Sequence, residues 1–378
     1  MAMKFKRFFK LFLPTLLFSV TKPLVGGQAV IEGVMMRSPN SLAVAVRRKN
    51  GNIVVKEHHW LSFFERARFL RWPLVRGATM LVESMYNGLS ALQFSAEQAA
   101  LDLEDTSAAE PSASKQGDKS GKNSKKALDY ALLGMMALSM LMGILLFKGL
   151  PHMLAWGIGE WFSKDGVSAL PMDSAWFHLV DGGIKMALFV GYILLISRMP
   201  DVGRLFMYHG AEHKSVHAFE QSKTLDVDGA ALMPVAHPRC GTTLILLVIS
   251  TSILVFAATL PFVPKVSESS FLQALFSLAI KVPLMLPIAG IAYEFQRAAA
   301  KHPDWKLIQA FIRPGMLMQS LTTREPSADQ LEVAMSALRK SLWREEQSKA
   351  LPVAVPTAAS PLSEQEVYAD FAAVCANT

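Results

Sequence analysis

The chain has 378 residues, of which 51% are hydrophobic and only 18% charged, too apolar a balance for an ordinary soluble protein of this size. Its formal net charge of +7 lies beside long apolar runs, so it describes faces near anionic lipid and gives no argument for nucleic acid. Two cysteines, Cys240 and Cys375, supply no disulfide framework.

In chain order, residues 1–25 join Lys4, Lys6, Arg7 and Lys10 to a short apolar run broken by Pro14, which reads as an interfacial anchor. Residues 26–60 turn to a β pattern, with one strand over 28–36 and another over 42–48. Asn50-Gly51 is a strong hairpin signal, and residues 53–56 form the returning strand. In the first strand Gln28, Val30 and Glu32 share a face. Residues 61–105 are a helical region, and 106–127, rich in Ser, Ala, Lys and Gly, a flexible linker.

Residues 128–343 form a membrane domain with apolar runs near 128–150, 178–199, 242–262 and 271–293, each close to the ~20 residues a bilayer needs. Lys281, beside Pro283 and Pro287, and Glu294 leave the register of the fourth run open. The first connection carries only Lys164 against Glu160, Asp165 and Asp173, whereas Arg198, Arg204, Lys214, Lys223 and Arg239 cluster in the second. The positive-inside rule then puts both termini and this second loop in the cytoplasm, as expected for a multi-pass protein of the inner membrane. Ser327 and Gln330 make a capping box for a helix through about residue 343, striped by Leu331, Ala334, Met335, Leu338 and Leu342. Residues 344–378 read as a poorly ordered tail. The fold class is a mostly α, polytopic membrane protein with about four transmembrane helices and a small N-terminal β element.

The second loop holds the densest chemistry. Residues 208–217 (YHGAEHKSVH) contain H-x-x-E-H, the inverted arrangement of some zinc peptidases. On a helix His209, His213 and His217 stack on one face, with Glu212 on nearly the same side. Two imidazoles one turn apart suit a divalent transition metal, zinc first, and Glu212 is placed to take a proton from a water. A solvated, pH-sensitive helix or a structural hydrogen-bonded cluster accounts for the same histidines. The remaining metal ligands come from Glu294 or from His237 with Cys240 in HPRCG, which reads equally well as a tight turn with an inert thiol.

Taken in order, residues 26–37 (GGQAVIEGVMMR), 208–214 (YHGAEHK), 237–241 (HPRCG), 289–294 (AGIAYE) and 321–326 (LTTREP) resemble the YqhQ-like bacterial membrane family, domain of unknown function 1385. Ala292 stands where that family is expected to carry serine. The resemblance implies a polytopic membrane protein whose members are described as predicted metal-dependent enzymes, without a reaction. Two functions follow as expectations. One is a metal-dependent hydrolase at the cytoplasmic membrane face, acting on a peptide or on a lipid-linked substrate. The other is a non-catalytic scaffold or assembly factor for membrane proteins.

Overall fold

The computed structural model describes residues 23–62, 67–109, 134–135, 138–164, 168–171, 174–221, 224–264, 270–302, 304–350 and 365–378. Nearly all of the expected anchor, most of the linker and residues 351–364 of the expected tail lie outside them. Among the described residues five antiparallel strands form one sheet in chain order: β1 (Gly26–Val30), β2 (Gly33–Arg37), β3 (Ser41–Arg47), β4 (Ile53–His59) and β5 (Gln365–Tyr368). Ten helices are labelled α1 (Val75–Ala109), α2 (Leu138–Trp161), α3 (Ala175–Ile196), α4 (Pro200–Glu220), α5 (Val227–Ala231), α6 (Gly241–Thr259), α7 (Ser270–Lys301), α8 (Lys306–Thr322), α9 (Ala328–Ala350) and α10 (Phe371–Ala376) among the described residues.

The strand expected over 28–36 is two strands. Val30 pairs with Gly33 across a tight turn in which Glu32 takes φ 51, a left-handed conformation that two-residue hairpins demand. Neither turn residue is Gly or Asn, so the apolar pattern runs through the turn and conceals it. Arg47 N–H donates to the Glu32 carbonyl at 2.8 Å and holds the turn against β3. Glu32 therefore leaves the face of Gln28 and Val30. Its carboxylate instead accepts from Arg204 at 2.8 and 2.5 Å and from the Tyr208 hydroxyl at 3.3 Å.

Alternation sorts the sheet's side chains into two cores. Met35, Val44, Val46 and Val54 face Ala91 and Phe94 of α1. Val34, Met36, Ala45 and Val55 face Tyr208, Ala211 and Val216 of α4 and Leu331, Met335 and Leu338 of α9. The capping box that starts α9 is present: Ser327 N–H donates to Gln330 Oε1 at 3.0 Å, and Gln330 N–H to Ser327 Oγ at 3.4 Å. The expected tail is partly structured. Helix α9 continues to Ala350, β5 pairs with β4, and Tyr368 and Val374 are buried.

Among the described residues three helices are long and apolar enough to cross a membrane: α2, α3 and Gly241–Phe262, which extends α6. Of the first expected span, 128–150, residues 128–133 and 136–137 lie outside the described residues, and its described part continues to Trp161. A π-helical turn at Leu145–Gly149 leads into Leu150–Trp161, so Pro151, whose ring tolerates a first helical turn, does not end the span. The fourth expected span falls in α7, which contains Pro283 and Pro287 and is not among the three. Helix α7 nevertheless runs antiparallel to α6. Lys281 lies over the Phe256 ring, and Gln296 donates to the carbonyls of Pro238 and Cys240 at 3.1 and 2.8 Å.

Glu345 joins the last turns of α9 to the sheet. It is 2% exposed and accepts from Ser38 Oγ and Asn40 N–H, both at 2.7 Å, and from Asn40 Nδ2 at 3.0 Å. Glu345→Ala strands these donors in a buried site and should destabilise the protein by about 2–4 kcal/mol. Thermal unfolding in detergent reads this out, and Glu345→Gln, which keeps acceptor capacity, should lose less.

Candidate metal centre

Helix α4 is polar yet buried, with Glu212, His213, Lys214 and Ser215 all inside. It fits because small residues let neighbours lie against it. A Cβ at Gly210 would stand 2.0 Å from the Arg324 carbonyl, so the α8–α9 connection rests directly on the helix. A Cβ at Gly27 would stand 2.6 Å from Glu212 Cγ, which places β1 over the glutamate.

His209 Nδ1 lies 2.7 Å from the Thr322 carbonyl, and His213 Nδ1 lies 2.5 Å from that of Val235. A carbonyl only accepts, so both Nδ1 atoms carry the proton and both Nε2 atoms keep a lone pair in the neutral ring. This is how metal-binding histidines are usually oriented. His209 Nε2 is 3.2 Å from Cys240 Sγ, and ligand atoms of His209, His213 and Cys240 all lie within 4.8 Å of one another. Ligands of a tetrahedral metal stand roughly 3.3–3.8 Å apart, so small side-chain rotations close the set. His213 Nε2 is buried with no hydrogen-bond partner, and Glu212 Oε2 is 3.5 Å from it. The donor set and the orphaned nitrogen both fit a transition metal.

His217, Glu220 and His237 form a second convergent group. Its atoms are already engaged. His237 Nδ1 accepts from Arg239 N–H at 3.2 Å, so its Nε2–H points to Glu220 Oε2 at 3.4 Å, while His217 Nε2 donates to the Ala236 carbonyl at 2.9 Å. Arg239 also ion-pairs with Glu220. A metal here would have to displace a guanidinium, so the structural-cluster reading fits these two histidines better. Glu294, expected as a third ligand, joins neither group. Both its oxygens accept from Arg76, tying α7 to α1, and Cys240 Sγ is the atom grouped with His209 and His213.

Sequence reasoning missed Gln319, which is fully buried. It accepts from His237 N–H at 2.8 Å and donates to the His237 carbonyl and to Thr243 Oγ1, both at 2.7 Å. A lone glutamine on a helix has no spacing signature. The carbonyls of Thr322 and Val235 are main-chain groups with no residue type to give them away.

Burial holds the His237 pKa below its ordinary value, against a smaller upward pull from the Glu212 charge. Burial also lowers that of His217, opposed by the Ala236 hydrogen bond and reinforced by His237, His213 and Arg239. A histidine lowered on folding binds fewer protons folded than unfolded, so stability is complete above the unfolded value near 6.5 and falls as pH drops through the folded one. The unfolding midpoint should therefore decline as pH falls below 6.5. His237→Gln should flatten that decline in a melting series across pH.

The family described as Protein of unknown function (DUF1385) matches residues 72–344. Uncharacterized protein YqhQ of Bacillus subtilis (strain 168) is 30% identical over 328 residues, covering 85% of this chain and 92% of that protein. No solved structure matches the chain. The family match spans α4, Cys240 and Gln319, and neither name carries a reaction. With most of both sequences aligned, the chain belongs to the DUF1385 family.

Proposed function

We propose that this protein is a metal-dependent hydrolase at the cytoplasmic face of the inner membrane. His209, His213 and Cys240 hold a divalent transition metal, and Glu212 is the general base. The observation that carries the reading is His213 Nε2, a buried acceptor without a partner beside two further ligand atoms. An orphaned buried acceptor costs about 1–3 kcal/mol, a cost that a bound ion removes. Imidazole with thiol sulfur suits zinc.

When bound, the metal supplies Lewis acidity toward a water and a scissile carbonyl. The protein's own part is positional. The Thr322 and Val235 carbonyls aim the two Nε2 lone pairs, and β1 at Gly27 closes over Glu212. Glu212 Oε2, 3.5 Å from His213 Nε2, is within reach of a proton leaving a water in this space. The inverted motif order favours a peptide substrate, and the membrane setting makes a lipid-linked chain the alternative.

Burial favours a second reading. Glu212, His213 and Cys240 are 6%, 1% and 5% exposed, as in a structural staple joining α4 to α6 in a non-catalytic scaffold. Elemental analysis of protein purified without a His tag separates the outcomes. A near-stoichiometric transition metal that is lost in His213→Ala supports the centre. Cobalt substitution should give a sulfur-to-cobalt charge-transfer band that Cys240→Ser abolishes. Glu212→Gln should keep the metal and lose turnover of a fluorogenic peptide or lipid-linked probe. Absence of metal even after reconstitution moves the reading to the scaffold.

The cytoplasmic placement rests on the basic second loop and the acidic first connection. Impermeant maleimide added outside intact cells should label Ser168→Cys and leave Thr224→Cys unlabelled. The opposite pattern would put the centre outside the cell.

A further inference from the structure

A second group of charges lies in two of the candidate spans and on α7 beside them, far from the histidines. Asp181 of α3 is 6% exposed and ion-paired with Lys185 one turn on, yet its Oδ1 is buried with no hydrogen-bond partner. Lys281 of α7 sits 5.8 Å from the Phe256 ring centre and lies in the field of Asp181, Lys185 and Lys148. Asp181 and Phe256 are each about 9 Å, at 1.5 Å per residue, inside the far ends of α3 and of the span Gly241–Phe262. Phe256 lies about 24 Å along α6 from Cys240, at the same rise. The two groups are therefore separate.

Two helices are irregular at this level. Lys148 belongs to the π-helical turn of α2, a feature frequent at functional sites. Lys281 is followed by Pro283 and Pro287, which remove two helical donors and free carbonyls in the preceding turn. The charge count is unbalanced: among the charges acting on Lys281, Asp181 is set against Lys185 and the exposed Lys148. Ionisable groups at this depth are costly and mark ligand or ion paths by default. Lysines that merely escape the bilayer reach for its surface. Lys185 instead turns onto Asp181, and Lys281 onto an aromatic face.

We infer that Lys148, Lys185 and Lys281 form an intramembrane site for a phosphate-bearing anion, with Asp181 Oδ1 accepting from a hydroxyl of the same ligand. The anion balances the surplus positive charge, and its hydroxyl fills the vacant acceptor Asp181 Oδ1. Inorganic monohydrogen phosphate and the headgroup of phosphatidylglycerol both carry this pair of groups.

The test uses full-length protein delipidated in a non-phosphate detergent. Inorganic phosphate binding is measured by equilibrium dialysis, and phosphatidylglycerol binding by native mass spectrometry, for wild type, Lys281→Met, Lys185→Met and Lys281→Arg. Binding of phosphate identifies a free-anion site, and binding of the lipid alone identifies a headgroup site. In either case the methionine variants should bind at least about tenfold more weakly. Lys281→Arg, which keeps the charge, should bind near wild type and controls for misfolding, alongside gel filtration. Binding of neither probe, or equal binding by folded methionine variants, overturns the inference. Metal content should be unchanged in every variant, so this result and that for the histidine–cysteine centre stand or fall separately.

Discussion

A polar helix in the core must have a partner for each of its polar groups, and the burial of α4 imposes that constraint on everything around it. The helix is held inside by its apolar side, where Tyr208, Ala211, Val216 and Ala218 pack with the sheet and α9. Its other side chains are then satisfied largely by main-chain carbonyls. Lys214 donates to Ala231 at 2.8 Å, His209 to Thr322, His213 to Val235 and His217 to Ala236. These acceptors belong to the α4–α6 connection and to the end of α8, so both segments are fixed by what α4 needs. Among the described side chains of α4, what stays unsatisfied is one buried nitrogen, His213 Nε2.

The same constraint couples the membrane helices to the sheet. Gln319 of α8 brackets His237 through both main-chain groups and reaches Thr243 in the first turn of α6. Arg324 runs along α4 past Gly203 and Gly210, donating from its backbone to the Phe206 carbonyl at 2.9 Å and from its guanidinium to the Ser197 carbonyl at 2.5 Å, beyond the end of α3. In the same half of α4, Arg204 and Tyr208 hold the β1–β2 turn through Glu32. Movement of α3 or α6 would therefore be felt at the histidines and at β1.

Local periodicity made much of this legible. The histidine column follows from spacing alone, because residues four apart share a helix face wherever the helix lies. The α9 cap and stripe were equally plain, since Ser327, Gln330 and the apolar positions act within one element. Long-range decisions were not. Ile31-Glu32 lacks turn chemistry, and its conformation is imposed by Arg47 and by the pairing of β2 with β3. Glu294 follows H-x-x-E-H in the order expected of a third ligand, but Arg76, which claims it, sits far upstream on α1. Residues 365–368 carry little apolar signal, and they order by completing the edge of β4 and placing Glu366 beside Lys340 at 2.6 Å.

In the proposed centre, a ligand role accounts for the thiol of Cys240 at the start of α6 better than packing does. It occupies the N-cap of that helix and makes no capping hydrogen bond from its side chain. Ser, Thr, Asp or Asn would cap better by about 1 kcal/mol, and Thr242 shows that a hydroxyl fits nearby, 3.1 Å from Cys240 Sγ. A buried thiol chosen for packing would face apolar neighbours. This one faces a hydroxyl on one side and an imidazole nitrogen on the other. Sulfur at this position gives up capping energy, and what it offers in return is soft-ligand chemistry pointed at His209 and His213. The loss is local to α6, while the benefit appears only when all three ligand atoms are brought together, which is what the burial of α4 accomplishes.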